Sequence, residues 1–201
     1  MVIVQARMMR VDASDTVISI NPKSYEAQDK GEVFTIDVTV TNVGDLYAYQ
    51  FDLFYDTALL DGVDVTFPPG HFLTPADPEK FLPVKQEVTD DYNATHGRVL
   101  VAALLLAPEP AKNGSGILSR LKFKVTGTGS CTLDLSGTKL GSNVLDPYTG
   151  LPLKISHETI GGTFKTLGQP VAPFPVATVA IVIVVAIVLF AAFLWVVRRR
   201  R

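Results

Sequence analysis

The 201-residue chain is poor in the residues that build disulfide-stapled or metal-dependent proteins. Its single cysteine, Cys131, permits no internal disulfide, which excludes a small disulfide-framed scaffold. The three histidines, His71, His96 and His157, are far apart and lack the His-Glu-x-x-His spacing, so we predict no metal site, no cofactor and no catalytic residue. No repeat of roughly 20–50 residues is visible, which argues against a solenoid.

Charge is also missing from Val176 to Val197. As a helix, this run of about 22 residues spans a hydrocarbon core of roughly 30 Å. The arginine cluster 198–201 follows it, so the positive-inside bias holds the C-terminus in the cytoplasm and the body of the protein outside. The sequence therefore predicts a single-pass protein of the cell membrane with an extracellular N-terminal domain. The alternative is that the tail is a sorting signal that is cut from the mature protein. No Leu-Pro-x-Thr-Gly motif precedes Val176, which argues against the familiar bacterial version of such a signal.

The N-terminus gives an incomplete export signal. Met1-Val2-Ile3-Val4-Gln5-Ala6 resembles the end of an apolar segment followed by a small-residue cleavage site, so residues 1–15 are interpreted as an N-terminal segment holding a signal-peptide remnant. The alternative is an ordinary N-terminus with the domain in the cytosol. That orientation would push four arginines across the membrane.

Between these ends lies one acidic domain. All twenty acidic residues but only fourteen of the eighteen basic ones precede Val176, which gives this part a formal charge of −6 and makes nucleic acid an improbable partner. We assign residues 16–166 to a single domain with its own core. Residues 167–175 form a Pro-rich stalk of roughly 25 Å before the membrane helix.

Alternation of apolar and polar residues predicts an all-β domain of about nine strands. In the most regular stretch, Phe34, Ile36, Val38 and Val40 alternate with Thr35, Asp37, Thr39 and Thr41. A turn is expected at 42–45 and a single helical turn at 78–81. The predicted strands are 16–20, 32–42, 46–55, 63–67, 84–88, 98–106, 117–125, 131–135 and 162–165. The 99–106 stretch is apolar on both faces, which is typical of a central strand or of one exposed to a partner.

Several segments in this order resemble the cohesin domain family over about 150 residues. They are Ser19-Ile20-Asn21-Pro22, Gly31-Glu32-Val33-Phe34-Thr35-Ile36-Asp37-Val38, the strand 46–56, Gly70-His71-Phe72-Leu73, Gly97-Arg98-Val99, Gly114-Ser115-Gly116-Ile117-Leu118 and Leu121-Lys122-Phe123-Lys124-Val125. The family commonly ends the 46–56 strand on Tyr-Asp-Pro, whereas this chain has Thr57 after Asp56.

The resemblance implies a jelly-roll β-sandwich that binds and does not catalyse. Its typical partner is a dockerin, and the assembly serves polysaccharide degradation. The recognition surface includes the outward side chains of the 46–55 strand, which here are Ala48, Gln50, Asp52 and Phe54. Ala48 and Gln50 replace the family's Asn-x-Asp pair. Ala48 permits close approach, Gln50 offers a donor and an acceptor, and Phe54 offers an apolar anchor; alternatively, all four are ordinary solvent-facing residues.

The resemblance and the predicted anchor together indicate a membrane-anchored extracellular binding module that docks a dockerin-like or other surface protein. One alternative is a carbohydrate-binding module that places exposed tyrosines, such as Tyr92 or Tyr148, against polysaccharide. Another is a structural or adhesive module of a surface layer.

Three smaller motifs complete the candidate sites. Asn93-Ala94-Thr95 and Asn113-Gly114-Ser115 are glycosylation sequons in predicted turns. Asp90, Asp91 and Asn93 lack a calcium-loop pattern and are interpreted as a solvated hairpin tip. Ser115 lacks the strand-turn-helix context of a nucleophile and is interpreted as part of a hairpin turn.

Overall fold

The computed structural model describes residues 16–148, 150 and 152–167, which form an all-β sandwich. Its strands are β1 (Val17–Asn21), β2 (Ser24–Ala27), β3 (Val33–Asp56), β4 (Leu60–Thr66), β5 (Phe81–Thr89), β6 (His96–Leu105), β7 (Lys112–Val125), β8 (Ser130–Leu145), β9 (Pro152–Lys154), β10 (Glu158–Ile160) and β11 (Gly162–Thr166). The predicted helical turn is a 3-10 turn at Pro78–Lys80. The described part has eleven strands, whereas the sequence predicts nine. The predicted strands 32–42 and 46–55 are one strand, β3, and the three additional strands, β2, β9 and β10, are too short to show alternation.

The long strand β3 belongs to both layers of the sandwich. Its first half pairs with β1 and β7, and β4 and β10 complete that layer. Its second half lies between β6 and β8, with β5 beyond β6 and with β9, β11 and β2 on the β8 side. Alternate side chains of both halves point into the space between the layers, as predicted. Phe34 and Ile36 from one half and Phe51 and Leu53 from the other are at most 4 % exposed.

The turn predicted at 42–45 is wrong, because β3 continues through these residues. Asn42 and Asp45 adopt the left-handed conformation that usually makes turns, with φ of 54° and 55°. Here they shift the register of β3 against β7 instead of reversing the chain. Their backbone N–H groups donate to the side chains of Ser115 (3.0 Å) and Asn113 (2.9 Å). Side chains of β7 therefore replace ladder hydrogen bonds where β3 passes from one layer to the other.

Aromatic rings fill the core and anchor it with hydroxyl hydrogen bonds. Tyr49 donates to the Leu118 carbonyl at 2.8 Å, and burial raises the pKa of its phenol. Tyr55 packs edge-on against Phe123 and donates to the Asp90 carboxylate. Burying a side chain of this size contributes about 1.5–3 kcal/mol to stability. Strand β3 is thus fixed at both ends of its second half.

Cys131 lies in β8, as predicted, and is half-buried. Burial raises the pKa of its thiol, which keeps it protonated at neutral pH.

In the part of the chain that the structure describes, no helix is long and apolar enough to cross a membrane. The predicted span 176–197 and arginine cluster 198–201 lie outside the described residues. So do the N-terminal segment 1–15 and most of the stalk 167–175.

Candidate partner-binding face

The second half of β3 runs through the middle of its sheet and turns one row of side chains outward. Ala48, Gln50, Asp52 and Phe54 form this row, and all four are half-buried. Their partners on β6 are, in the same order, Leu104, Ala102, Leu100 and Arg98. Their partners on β8 are Gly141, Lys139, Ser136 and Asp134. The four residues predicted from the sequence thus share one continuous outer face, which we call the β3 face.

A groove of about 250 Å³ opens at one end of the β3 face, and we call it the Ala48 groove. Apolar side chains from five strands, β3, β5, β6, β8 and β9, line it, including Ala48, Val84, Ala102, Leu104 and Pro152. Val84 on the edge strand β5 is 51 % exposed, and Leu82, two residues before it, is 43 % exposed. Strand β6 explains the apolar sequence at 99–106, because Val99, Val101 and Ala103 face the core while the alternate residues line the outer face.

The polar lining of the Ala48 groove comes from Gln50, Lys139 and Lys154. Sequence reasoning identified Gln50 but missed the two lysines. Lys139 opposes Gln50 on β8, and Lys154 on β9 opposes Gly141 two residues further along. Strand β9 has only three residues, so no alternation in the sequence reveals it.

The Asp52 carboxylate forms an ion pair with an arginine of the neighbouring strand. Its Oδ1 accepts a hydrogen bond from Arg98 Nε at 2.5 Å, and only 14 % of its side chain is exposed. A bulge in β8 puts Gly137, with φ of +58°, against the other carboxylate oxygen. A Cβ at Gly137 would displace that oxygen, and the left-handed backbone there also favours glycine. Asp52 is therefore positioned by the sheet and is not a free acceptor for a partner.

Phe54 is partly covered by a residue from the β5–β6 turn. The ring of Tyr92 packs on Phe54 with centroids 5.2 Å apart, and the Arg98 guanidinium lies 5.3 Å from the Tyr92 centroid. The apolar anchor predicted at Phe54 is thus shared with Tyr92. A second accessible apolar surface lies at the opposite end of the face, in the Ala48 groove.

The tyrosines predicted for sugar stacking do not share a platform. Tyr92 packs beside Phe54, whereas Tyr148 lies beyond the end of β8 that pairs with Leu46 and is 95 % exposed. The stretch of β3 between Leu46 and Phe54 is roughly 26 Å long at 3.3 Å per residue. No single sugar ring can stack on both tyrosines.

The two sequons differ in context. Asn93 is exposed in the β5–β6 turn, as predicted, and its side-chain oxygen accepts hydrogen bonds from the N–H groups of Thr95 and His96 at 2.9 Å. Asn113 is also exposed but lies inside β7, so the turn predicted there is wrong. The hairpin turn predicted at Ser115 is wrong for the same reason, because Asn113 and Ser115 support the register shift in β3.

The titratable groups elsewhere have structural roles. Asp90 accepts hydrogen bonds from the Tyr55 hydroxyl and the Gly62 N–H (2.9 Å). Desolvation, and after it the charge of Asp90, raises the pKa of Asp61. His71 is a buried loop residue between Phe67 and Phe81, and burial lowers its pKa. Within residues 16–148, 150 and 152–167, no group of three or more His, Cys, Asp or Glu side chains is arranged to hold a metal ion.

The model of the cohesin domain family matches residues 18–147, well over half of the chain. No curated protein sequence matches this chain.

Solved structures share the fold at low identity. A non-cellulosomal cohesin from the hyperthermophilic archaeon Archaeoglobus fulgidus is similar at 20 % identity with a TM-score of 0.51, over 77 % of this chain and 93 % of the other. A type I cohesin–dockerin complex from Clostridium thermocellum gives 14 % identity and a TM-score of 0.56, over 76 % and 99 %. A cohesin solution structure from Clostridium acetobutylicum gives 16 % and 0.55, over 78 % and 93 %.

Proposed function

The chain belongs to the cohesin domain family, and we propose that it is a membrane-anchored cohesin that docks a dockerin-like protein module at the cell surface. Cohesin domains are non-catalytic protein-interaction modules. The partner therefore supplies any chemistry, and polysaccharide degradation is the process we expect it to serve. Solved relatives that form complexes with dockerins support this choice of partner.

The observation that carries the proposal is the uncovered apolar centre of the β3 face. Leu100, Ala102 and Leu104 alternate with core residues along β6, yet no described element covers them. A sheet face that serves only solvation carries polar residues at such positions. Apolar residues in mid-sheet instead provide the dry centre that a protein interface requires.

Binding of purified dockerin modules to the full-length chain in detergent tests this function. We expect one or more modules of a dockerin panel to bind, and Leu104→Arg to weaken that binding by about 30-fold or more. Thr35→Arg is the matched control, because Thr35 is exposed on the first half of the same strand but faces outward from the other layer. If Leu104→Arg binds as the wild type does, the β3 face is not the docking surface.

The membrane anchor is proposed from the sequence at 176–197. We expect the protein to remain in the membrane pellet after a carbonate wash and to expose its domain to protease added outside intact cells. The intact mass of the mature protein tests whether the tail is retained, since transpeptidase cleavage would remove the four terminal arginines.

We propose glycans at Asn93 and Asn113 on the same premise of an external domain. Both amides are exposed, and only their side-chain oxygens are engaged in the hydrogen bonds described above. In protein purified from its native host, we expect Asn93→Gln and Asn113→Gln each to lower the mass by one glycan. An unmodified wild-type mass contradicts it.

A further inference from the structure

The Ala48 groove carries a local positive charge on an otherwise acidic domain. Lys139 and Lys154 are both exposed, and neither ammonium has a hydrogen-bond or ion-pair partner among the described residues. They stand at diagonal positions on neighbouring strands, where residues are roughly 7–8 Å apart. Both side chains line the same groove, so their charges act on the same occupant.

Carboxylates nearby do not cancel this charge. Asp52 is bonded to Arg98, and Glu87 on β5 is bonded to Lys85 at 2.6 Å. Asp134 is the remaining acid in the β8 row, and it lies five residues from Lys139 along the strand, roughly 16 Å away. The groove end of the β3 face is therefore basic, although the chain before Val176 carries a formal charge of −6.

An apolar floor beside free ammonium groups specifies a partner of complementary chemistry. An apolar side chain entering the groove replaces water on Ala48, Ala102 and Leu104. A carboxylate next to that side chain would reach Lys139 or Lys154, whereas a basic residue in its place would be repelled. On a helix, residues three or four positions apart lie on the same side and can present both groups together.

We propose that the Ala48 groove binds a helix of the partner on which an apolar side chain is flanked by carboxylates that pair with Lys139 and Lys154. This inference rests on the proposed docking function and adds the chemistry of the partner. The sequence pattern to seek in partners is an apolar residue with Asp or Glu three or four positions away on an exposed helix.

A display experiment tests the charge pattern without knowledge of the natural partner. The probe is a phage-displayed library of three-helix-bundle domains with the exposed positions of one helix randomised. It is selected on the full chain in lipid nanodiscs after depletion on empty nanodiscs. Loss of binding to Leu104→Arg assigns each selected domain to the groove. We expect groove binders to be enriched in Asp and Glu over Lys and Arg at positions flanking an apolar residue.

Charge reversal then tests the two lysines directly. The double variant Lys139→Glu/Lys154→Glu should bind the selected domains about 30-fold more weakly. The control variant Lys122→Glu/Lys124→Glu makes the same change in net charge on exposed residues of β7, on the other layer, and should bind as the wild type does. Higher salt should weaken wild-type binding and leave the double variant less affected.

The outcomes separate this inference from the proposed function. The charge pattern is overturned if the groove binders show no excess of acidic residues, or if the double variant binds them as the wild type does. Either result leaves the proposed docking face intact. Selected domains that all bind Leu104→Arg normally overturn the docking face and the inference together. Two other occupants would also overturn the inference. Binding of phosphatidylserine vesicles in place of helical domains would identify a lipid surface, and self-association lost in the double variant would identify a second copy of the acidic chain.

Discussion

The two halves of β3 differ in the side chains that they turn to solvent. The first half presents Thr35, Asp37, Thr39 and Thr41, and the second presents Ala48, Gln50, Asp52 and Phe54. Threonine suits an exposed strand, because its branched Cβ favours extended backbone and its hydroxyl bonds locally, as Thr39 does with Ser19 at 3.1 Å. Alanine has neither property. The first half of β3 thus has an outer face suited to contact with water. The second half includes an alanine, which has a lower strand propensity but lets another molecule approach closely.

The largest expected effect comes from the bulge that supports only the second half. Gly137→Ala forces a Cβ into the left-handed region and against the Asp52 carboxylate, so we expect a loss of about 2–3 kcal/mol in stability. Gly70→Ala is the control, because Gly70 has φ of +73° but open space around its Cβ, and should cost about 1 kcal/mol. Thermal unfolding of the full chain in detergent, followed by circular dichroism, measures both. Equal losses would show that contact with Asp52 adds nothing.

A smaller effect is expected from the arginine–carboxylate pair that each face carries. Asp37 accepts two bonds from Arg120, at 2.7 and 3.0 Å, whereas Asp52 accepts one from Arg98. We expect the burial of the arginine to matter more for stability than the number of hydrogen bonds. The Arg120 side chain is 42 % exposed, whereas that of Arg98 is 29 % exposed. Asp52→Asn should therefore cost about 1–2 kcal/mol, and Asp37→Asn less. The same thermal unfolding experiment measures both variants. A larger loss of stability for Asp37→Asn than for Asp52→Asn would show that the Asp37–Arg120 pair contributes more.

The smallest effect should arise from His71, which lies on neither outer face. Burial lowers the pKa of His71 below the ordinary 6.5, so the unfolded chain takes up a proton first as the pH falls. Its contribution is fully present above pH 6.5 and is lost as the pH falls through the lowered folded pKa. The change is at most about 1.4 kcal/mol per pH unit. His71→Phe, which keeps a ring against Phe67 and Phe81, should reduce the difference in unfolding temperature between pH 7 and pH 5. Partner binding at pH 7 should not change.

The sequence predicts the core strands well because they obey a local rule. Alternation in both halves of β3 identifies the buried residues, and the doubly apolar stretch at 99–106 identifies β6 as the centre of an unusual face. The turn predicted at 42–45 fails since Asn42 and Asp45 are bonded by side chains of Asn113 and Ser115, about seventy residues away. No local pattern separates a left-handed bulge from a left-handed turn.

The candidate site is predictable only in part for a similar reason. Ala48 and Gln50 follow from the resemblance to cohesins, but the groove also needs Val84 from an edge strand, Pro152 and the lysines of β8 and β9. These positions meet through long-range pairing. The cover that Tyr92 provides over Phe54 likewise depends on how the β5–β6 turn folds back. Sequence reasoning therefore identifies the row of side chains on β3 and misses what surrounds it.

The passage of β3 through both layers also determines how the domain bears mechanical load. In the proposed docking mode, a partner contacts residues of β3 that are paired with β6 and β8, and the same unbroken strand continues between β1 and β7. Any force that acts along β3 would be resisted by hydrogen bonds to four neighbouring strands. In that docking mode, the layer away from the partner would help to hold β3 in place.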